Sequence, residues 1–280
     1  MHDKLFVQFY LQNVTGEVRV NGIPVHSVPE ELAATDQTIP VNGFIVAGMN
    51  AVDLVLDMEG SPSVCTRRRE KKANKDAMAM IRVLRFPSDG GPVFAMPIPA
   101  NIVAYREWLG EKDESEEAPR VVSLAFDVGA GFGGPWAWQS APKLKLDTQT
   151  IEEARVICEH VRAAIVSGNT SELLRLAEIR FREVGEAFGA TSDAEDIAQL
   201  ERWIQQYEKE PDRVLPIDPL AFDFRLVADD RILQPLNKDW SHPVRMNQAV
   251  TDQDDNPMGE MELPYSLLLA RVGGKLAIVR

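Results

Sequence analysis

Apolar residues recur on a period of two over the first half of the chain and on a period of 3.6 from about residue 148. In the first stretch Leu5, Phe6, Val7, Phe9 and Leu11 supply the apolar positions, with Gln8, Tyr10 and Gln12 between. Glu17–Val20 and Ile23–Val25 flank Asn21-Gly22, a two-residue signal for a hairpin whose central residues need positive φ. Pro24 lacks a backbone donor, so the return strand is expected at a sheet edge. Further strands are expected at Ile39–Val46, Val52–Met58, Met78–Phe86, Pro92–Ile98, Ile102–Trp108 and Val121–Val128. Roughly seven to nine short strands separated by turn signals predict an all-β sandwich, a jelly roll, over residues 1–145.

The longer period starts with Thr150 and Glu153, which have the spacing of a capping box. Ala154, Ile157, Cys158, Val161, Ala164 and Ile165 form one stripe, and Gly168 ends that helix. A second helix is expected from Asn169 or Thr170 to Phe188. A third starts at a capping box of Ser192 and Glu195 and closes at Pro211. Strands return at Leu220–Leu226, Ile232–Leu236 and Val244–Val250, and Gly273-Gly274 joins Tyr265–Val272 to Lys275–Val279. Helices followed by strands predict an α+β domain over 148–280, with three helices packed on a curved antiparallel sheet. The fold class read from the pattern is therefore two-domain.

Two resemblances fit this division. Residues 17–58, with Val18-Arg19-Val20-Asn21-Gly22 and Gly48-Met49-Asn50 ahead of an alternating strand, resemble galactose-binding-like jelly-roll accessory modules. Residues 148–280 are similar in element order to the cystatin-like α+β roll of the nuclear-transport-factor superfamily. The supporting residues are Ser167-Gly168-Asn169 and the closing Gly274–Arg280. The first resemblance implies a non-catalytic binding scaffold. The second implies a fold and a pocket but no reaction, because that superfamily spans enzymes and pure interaction domains.

Charge narrows the partners. The 43 acidic and 30 basic side chains give a net charge of −13. Residues 1–147 hold 15 basic and 19 acidic groups, net −4, whereas 148–280 hold 15 and 24, net −9. Such a field repels phosphate backbones, so nucleic acid is not expected as a partner; a protein, and a basic one, is favoured on the C-terminal half. Glu183, Glu186, Asp193 and Asp196 are the candidate partner surface. No apolar run is long enough to span a membrane. The start Met1-His2-Asp3-Lys4 lacks a secretory leader, which reads as cytoplasmic, or as periplasmic or exported if a leader has been removed.

Few residues point to catalysis. Gly129-Ala130-Gly131-Phe132-Gly133-Gly134 satisfies G-x-G-x-x-G, but the following Pro135-Trp136-Ala137-Trp138 does not open a helix, which excludes a dinucleotide site. Trp136 and Trp138 share a face of an extended chain and are candidates for stacking on a glycan, or for packing. Asp252–Asn256 begins like a calcium loop, but Pro257 and Leu263 stand where an EF-hand needs Gly and Glu. The four histidines are scattered, so no metal or cofactor is expected. Cys65 lies beside Arg67–Arg69, and Cys158 on a helix stripe. Candidate pocket-lining residues in the C-terminal half are Asp223, Arg225, Trp240 and His242. The expected function is a non-enzymatic binding or protein-interaction protein of adaptor or immunity type. The alternatives are a carbohydrate-binding accessory protein, or a small-molecule or enzymatic pocket in the C-terminal roll.

Overall fold

A computed structural model describes residues 3–28, 34–56, 60–63, 76–87, 98–110, 120–189, 194–251 and 257–280. The expectations for Cys65 with its arginines, the strand at 92–98 apart from its last residue, the 111–117 acidic run, the Ser192 cap, Asp193 and the 252–256 loop fall outside these residues. The described residues form antiparallel sheets and four α-helices, in two compact units.

The first unit takes in residues 1–60, 64–136 and 184–189. Its strands are β1 (Lys4–Gln12), β2 (Gly16–Val20), β3 (Ile23–Val28), β4 (Thr35–Pro40), β5 (Met49–Leu56), β6 (Met78–Phe86), β7 (Ile102–Leu109) and β8 (Arg120–Asp127). They form two four-stranded sheets, in the orders β4-β1-β6-β7 and β3-β2-β5-β8. The alternation read in the sequence is the reason. Leu5, Val7, Phe9, Ala79, Ile81 and Val83 from one sheet share a core with Val18, Val20, Val52, Leu54, Leu56 and Phe126 from the other. Asn21 and Gly22, at φ 52° and 76°, make the predicted turn, and β3 lies at an edge.

One strand differs from the pattern. The run Ile39–Val46 is not a single strand: β4 ends at Pro40, and Asn42–Phe44 form a 3-10 turn. Asn42 causes the break. Its buried Oδ1 accepts from Leu5 N at 2.7 Å, and its Nδ2 donates to the carbonyls of Asp3 at 2.9 Å and Ala187 at 3.1 Å. A side chain that satisfies backbone groups this way replaces the ladder bonds a strand would need.

The second unit takes in 61–63, 137–183 and 190–280. Its helices are α1 (Thr148–Val166), α2 (Thr170–Leu176), α3 (Glu178–Phe188), whose last turn belongs to the first unit, and α4 (Ala194–Lys209). The expected three helices become four because Ala177, at φ −109°, interrupts the second. The cap of α1 also differs. Asp147, not Thr150, is the N-cap, and its Oδ1 accepts from Thr150 N at 2.8 Å. That bond holds the Asp147 carboxyl below its usual range. Asn169 caps α2 as expected.

The strands that follow are β9 (Phe222–Val227), β10 (Ile232–Asn237), β11 (Arg245–Thr251), β12 (Pro257–Pro264), β13 (Leu269–Val272) and β14 (Lys275–Ile278). They form a four-stranded sheet, β14-β13-β10-β9, and a separate β11-β12 hairpin. The single curved sheet of the sequence reading is thus two. Strand β12 has no apolar stripe, as Met258 and Met261 are exposed and Glu260 and Glu262 flank Met261, so its pattern does not mark it. Ala154, Cys158, Val161 and Ile165 of α1 pack with Leu173, Ile204, Tyr207, Phe222, Phe224, Leu233 and Leu269. Burial pushes the Cys158 thiol up to about 12, so it acts as a small hydrophobe.

Candidate functional site

Three of the four predicted lining residues meet in the second unit. On β9 the core takes Phe222 and Phe224, so Asp223 and Arg225 point to the opposite face. Arg225 is buried, and its Nε donates to Oε1 of its cross-strand partner Gln234 at 2.8 Å. Its guanidinium lies 5.0 Å from the centre of the Trp240 ring. Trp240 reaches it from the β10–β11 turn with φ 71°. That turn is tied by Asn237 N to Ser241 O at 2.8 Å and by Ser241 Oγ to Asp239 Oδ1 at 2.6 Å. Asp223 is not brought in, since its oxygens accept from Ser63 N at 2.8 Å and from Phe224 N at 2.9 Å.

His242 completes the cluster. Burial, then the positive charges of Arg225 and Arg245, lower its pKa to about 4, so the ring is neutral at pH 7. Its Nδ1 is buried and has no hydrogen-bond partner among the described residues. The Arg225 guanidinium and a neutral imidazole offer donors for an anionic group. The depressed pKa has a consequence for stability. The folded form resists a proton that the unfolded chain accepts below about 6.5. Stability is therefore complete above that pH and is lost as pH falls toward 4, by about 3 kcal/mol at most. His242→Phe should flatten the pH 4–7 segment of a denaturation series; an unchanged slope would remove His242 as its source.

The other sequence candidates separate. Trp136 and Trp138 are 4% and 7% exposed, and Trp136 Nε1 donates to Ile45 O at 2.6 Å. Stacking on a sugar needs an exposed ring face, which neither indole presents. Glu183 is not on the surface. It is 3% exposed, accepts from Ala137 N at 2.7 Å and pairs with Arg280 Nη1 at 2.5 Å. Glu186 is exposed; Asp196 lies on α4. After the 129–134 glycine stretch comes a 3-10 turn at Ala137–Ser140, not an α-helix. Among the described residues no group of three His, Cys, Asp or Glu side chains is placed to hold a metal ion, and no helix is long and apolar enough to cross a membrane.

One feature was not found by reading the sequence. A groove of about 740 Å³, open to solvent and mostly apolar, lies between the first turns of α1 and the β13–β14 turn. Val156, Ile157 and Leu276 give it apolar surface, and Glu152, Glu153 and Lys275 border it. Val156 is 42% exposed. Its signal was available, because it is an apolar residue outside the buried stripe of an amphipathic helix. Arg271 pairs with Glu153 at 3.1 Å, and Glu152 lies 4.0 Å from Arg155. Strand β14 is the outer strand of its sheet, beside the groove.

No family model, curated protein or solved structure matches the chain.

Proposed function

We propose that this is a non-enzymatic protein-interaction protein of two domains, whose C-terminal part binds an extended, basic and apolar segment of another protein. The observation that carries the reading is the groove between α1 and β14. Its apolar surface favours a partner that offers apolar side chains at alternate positions. An outer strand next to it offers unpaired backbone groups, so an extended segment can pair with β14 while its side chains enter the groove. The net −9 of residues 148–280 supports the sign of the partner.

In this reading residues 1–145 are a β-sandwich scaffold and 148–280 an α+β domain. Among the described strands only β2–β3 and β6–β7 are consecutive neighbours within one sheet and the other consecutive strands from β1 to β8 change sheets, which supports the winding of a jelly roll. Helices joined to antiparallel strands support a cystatin-like roll. A second reading, a small anion site in the C-terminal part, rests on the convergence of Arg225, Trp240 and His242.

The test is capture from an extract of the native cell on the immobilised protein, beside a Val156→Asp variant. A protein retained by the wild type, lost with Val156→Asp and released as salt rises from about 0.05 to 0.5 M, is the expected result. If the same proteins are retained on both surfaces at every salt concentration, the reading fails.

A further inference from the structure

Strand β14 leaves β13 through Gly273-Gly274, at φ 58° and 81°, a two-residue I′ turn. The pair that closes such a turn, Val272 with Lys275, exchanges main-chain hydrogen bonds, and so does Ala270 with Ala277 one repeat further on. Leu276 and Ile278 fall on the alternate positions, so their N–H and C=O groups point away from β13. No described residue bonds those outward groups. We propose that, when no other protein is bound, a second copy of this chain closes the site, with β14 paired antiparallel to β14 about a twofold axis at Ala277. The proposal rests on the reading of β14 and α1 as a docking site and adds its regulation.

The register of β14 suits a copy of itself. The two outward residues are two apart, so a twofold at the residue between them sets Leu276 against Ile278 of the second copy and Ile278 against Leu276, with four main-chain hydrogen bonds. Ala277 then faces its own counterpart in a non-hydrogen-bonded pair, where Cα atoms approach to about 4.5 Å and side chains are closest. A methyl group fits that position. Leu276 and Ile278 share a face of the strand, so each pair across the axis is apolar on apolar. Lys275, the one charged residue of β14, lies opposite Val279 and meets no like charge. Leu276 also lines the groove with Val156, so the twofold turns the two grooves toward each other.

Charge sets the conditions. Each copy carries −13, so two copies repel at long range, and salt that screens the repulsion should tighten the pairing. A basic segment of another protein responds in the opposite sense. The contact is a four-residue strand on each side. Such a small interface puts the dissociation constant at about 10 μM or above. Dilute protein therefore presents the open edge, and concentrated protein at high salt closes it.

Sedimentation equilibrium of the full chain alone, from about 5 to 500 μM in about 0.05 and 0.5 M sodium chloride, tests this. The expected result is a reversible monomer–dimer equilibrium that tightens with salt. Ala277→Glu and Ala277→Lys should each weaken the dimer about fivefold, because like charges then face each other across the axis. An equimolar mixture of the two variants should restore the dimer, because opposite charges then face. Rescue of this kind reports residue 277 beside its own counterpart, which a change in folding cannot mimic. Leu276→Pro removes one outward N–H and none from the β13 ladder, and should leave a monomer. A monomer at every concentration and salt, a dimer that survives Leu276→Pro, or no rescue in the mixture would overturn the proposal. Those results leave capture of another protein on the groove untouched, and loss of that capture with Val156→Asp leaves the free edge of β14 in place, so the two failures are distinguishable.

Discussion

Glu183→Ala is expected to destabilise the second unit by about 3–5 kcal/mol. The carboxylate is buried on α3 and performs two tasks at once. One oxygen accepts from Ala137 N and the other pairs with Arg280, itself only 4% exposed. Removing it leaves a guanidinium and a backbone N–H without their anion in a dry site. Burial already lowers the Arg280 pKa, which shows the strain that setting places on a charge. The double variant Glu183→Leu, Arg280→Met should recover much of the loss, because no charge then remains buried. Urea denaturation of the three proteins measures this. A Glu183→Ala midpoint equal to that of the wild type would show that the pair contributes little.

The second large effect concerns two glycines in one loop. Gly133 has φ 72°, and a Cβ placed there would meet Ile45 O at 2.3 Å. That carbonyl is the one Trp136 Nε1 holds, so it cannot retreat without loosening the indole. Gly133→Ala should therefore cost about 2 kcal/mol or more, from the left-handed backbone and the clash together. Gly131→Ala, two residues away with open space around it, should change stability by less than about 0.5 kcal/mol. Thermal unfolding of both variants decides it; equal losses would mean that the loop is strained as a whole and not at Gly133.

These glycines show what the sequence could and could not disclose. The G-x-G-x-x-G spacing was legible, and so was its failure as a dinucleotide loop, because Pro135-Trp136 opens no helix. That Gly133 is there for close approach to Ile45 was not legible, because the two are far apart in the chain. Periodicity located most strands and helices, since burial on one face imposes a spacing of 2 or 3.6. It missed β12, whose exposed methionines and glutamates carry no stripe, and it ran the second helix through Ala177, whose side chain fits the stripe although its backbone does not.

Acid counts misplaced Glu183 because composition cannot tell a solvated carboxylate from a buried pair. Helix spacing alone put Glu183 beside Glu186, and only the position of Arg280, 97 residues along the chain, separates their roles. The cluster of Arg225, Trp240 and His242 was half legible. Strand alternation places Arg225, and Trp240 and His242 are candidate lining residues in the sequence, but the stack of Arg225 on Trp240 depends on the positive φ of Trp240.

The central claim, that an extended segment of another protein docks on α1 and β14, is tested most directly by backbone amide hydrogen exchange of the protein with and without its captured partner. The account predicts slowed exchange at Lys275–Ile278, where a new strand would take up the outer backbone groups, and over the first turns of α1 around Val156. Protection confined to the β strands of the first unit, with Lys275–Ile278 and α1 unchanged in the complex, would contradict it.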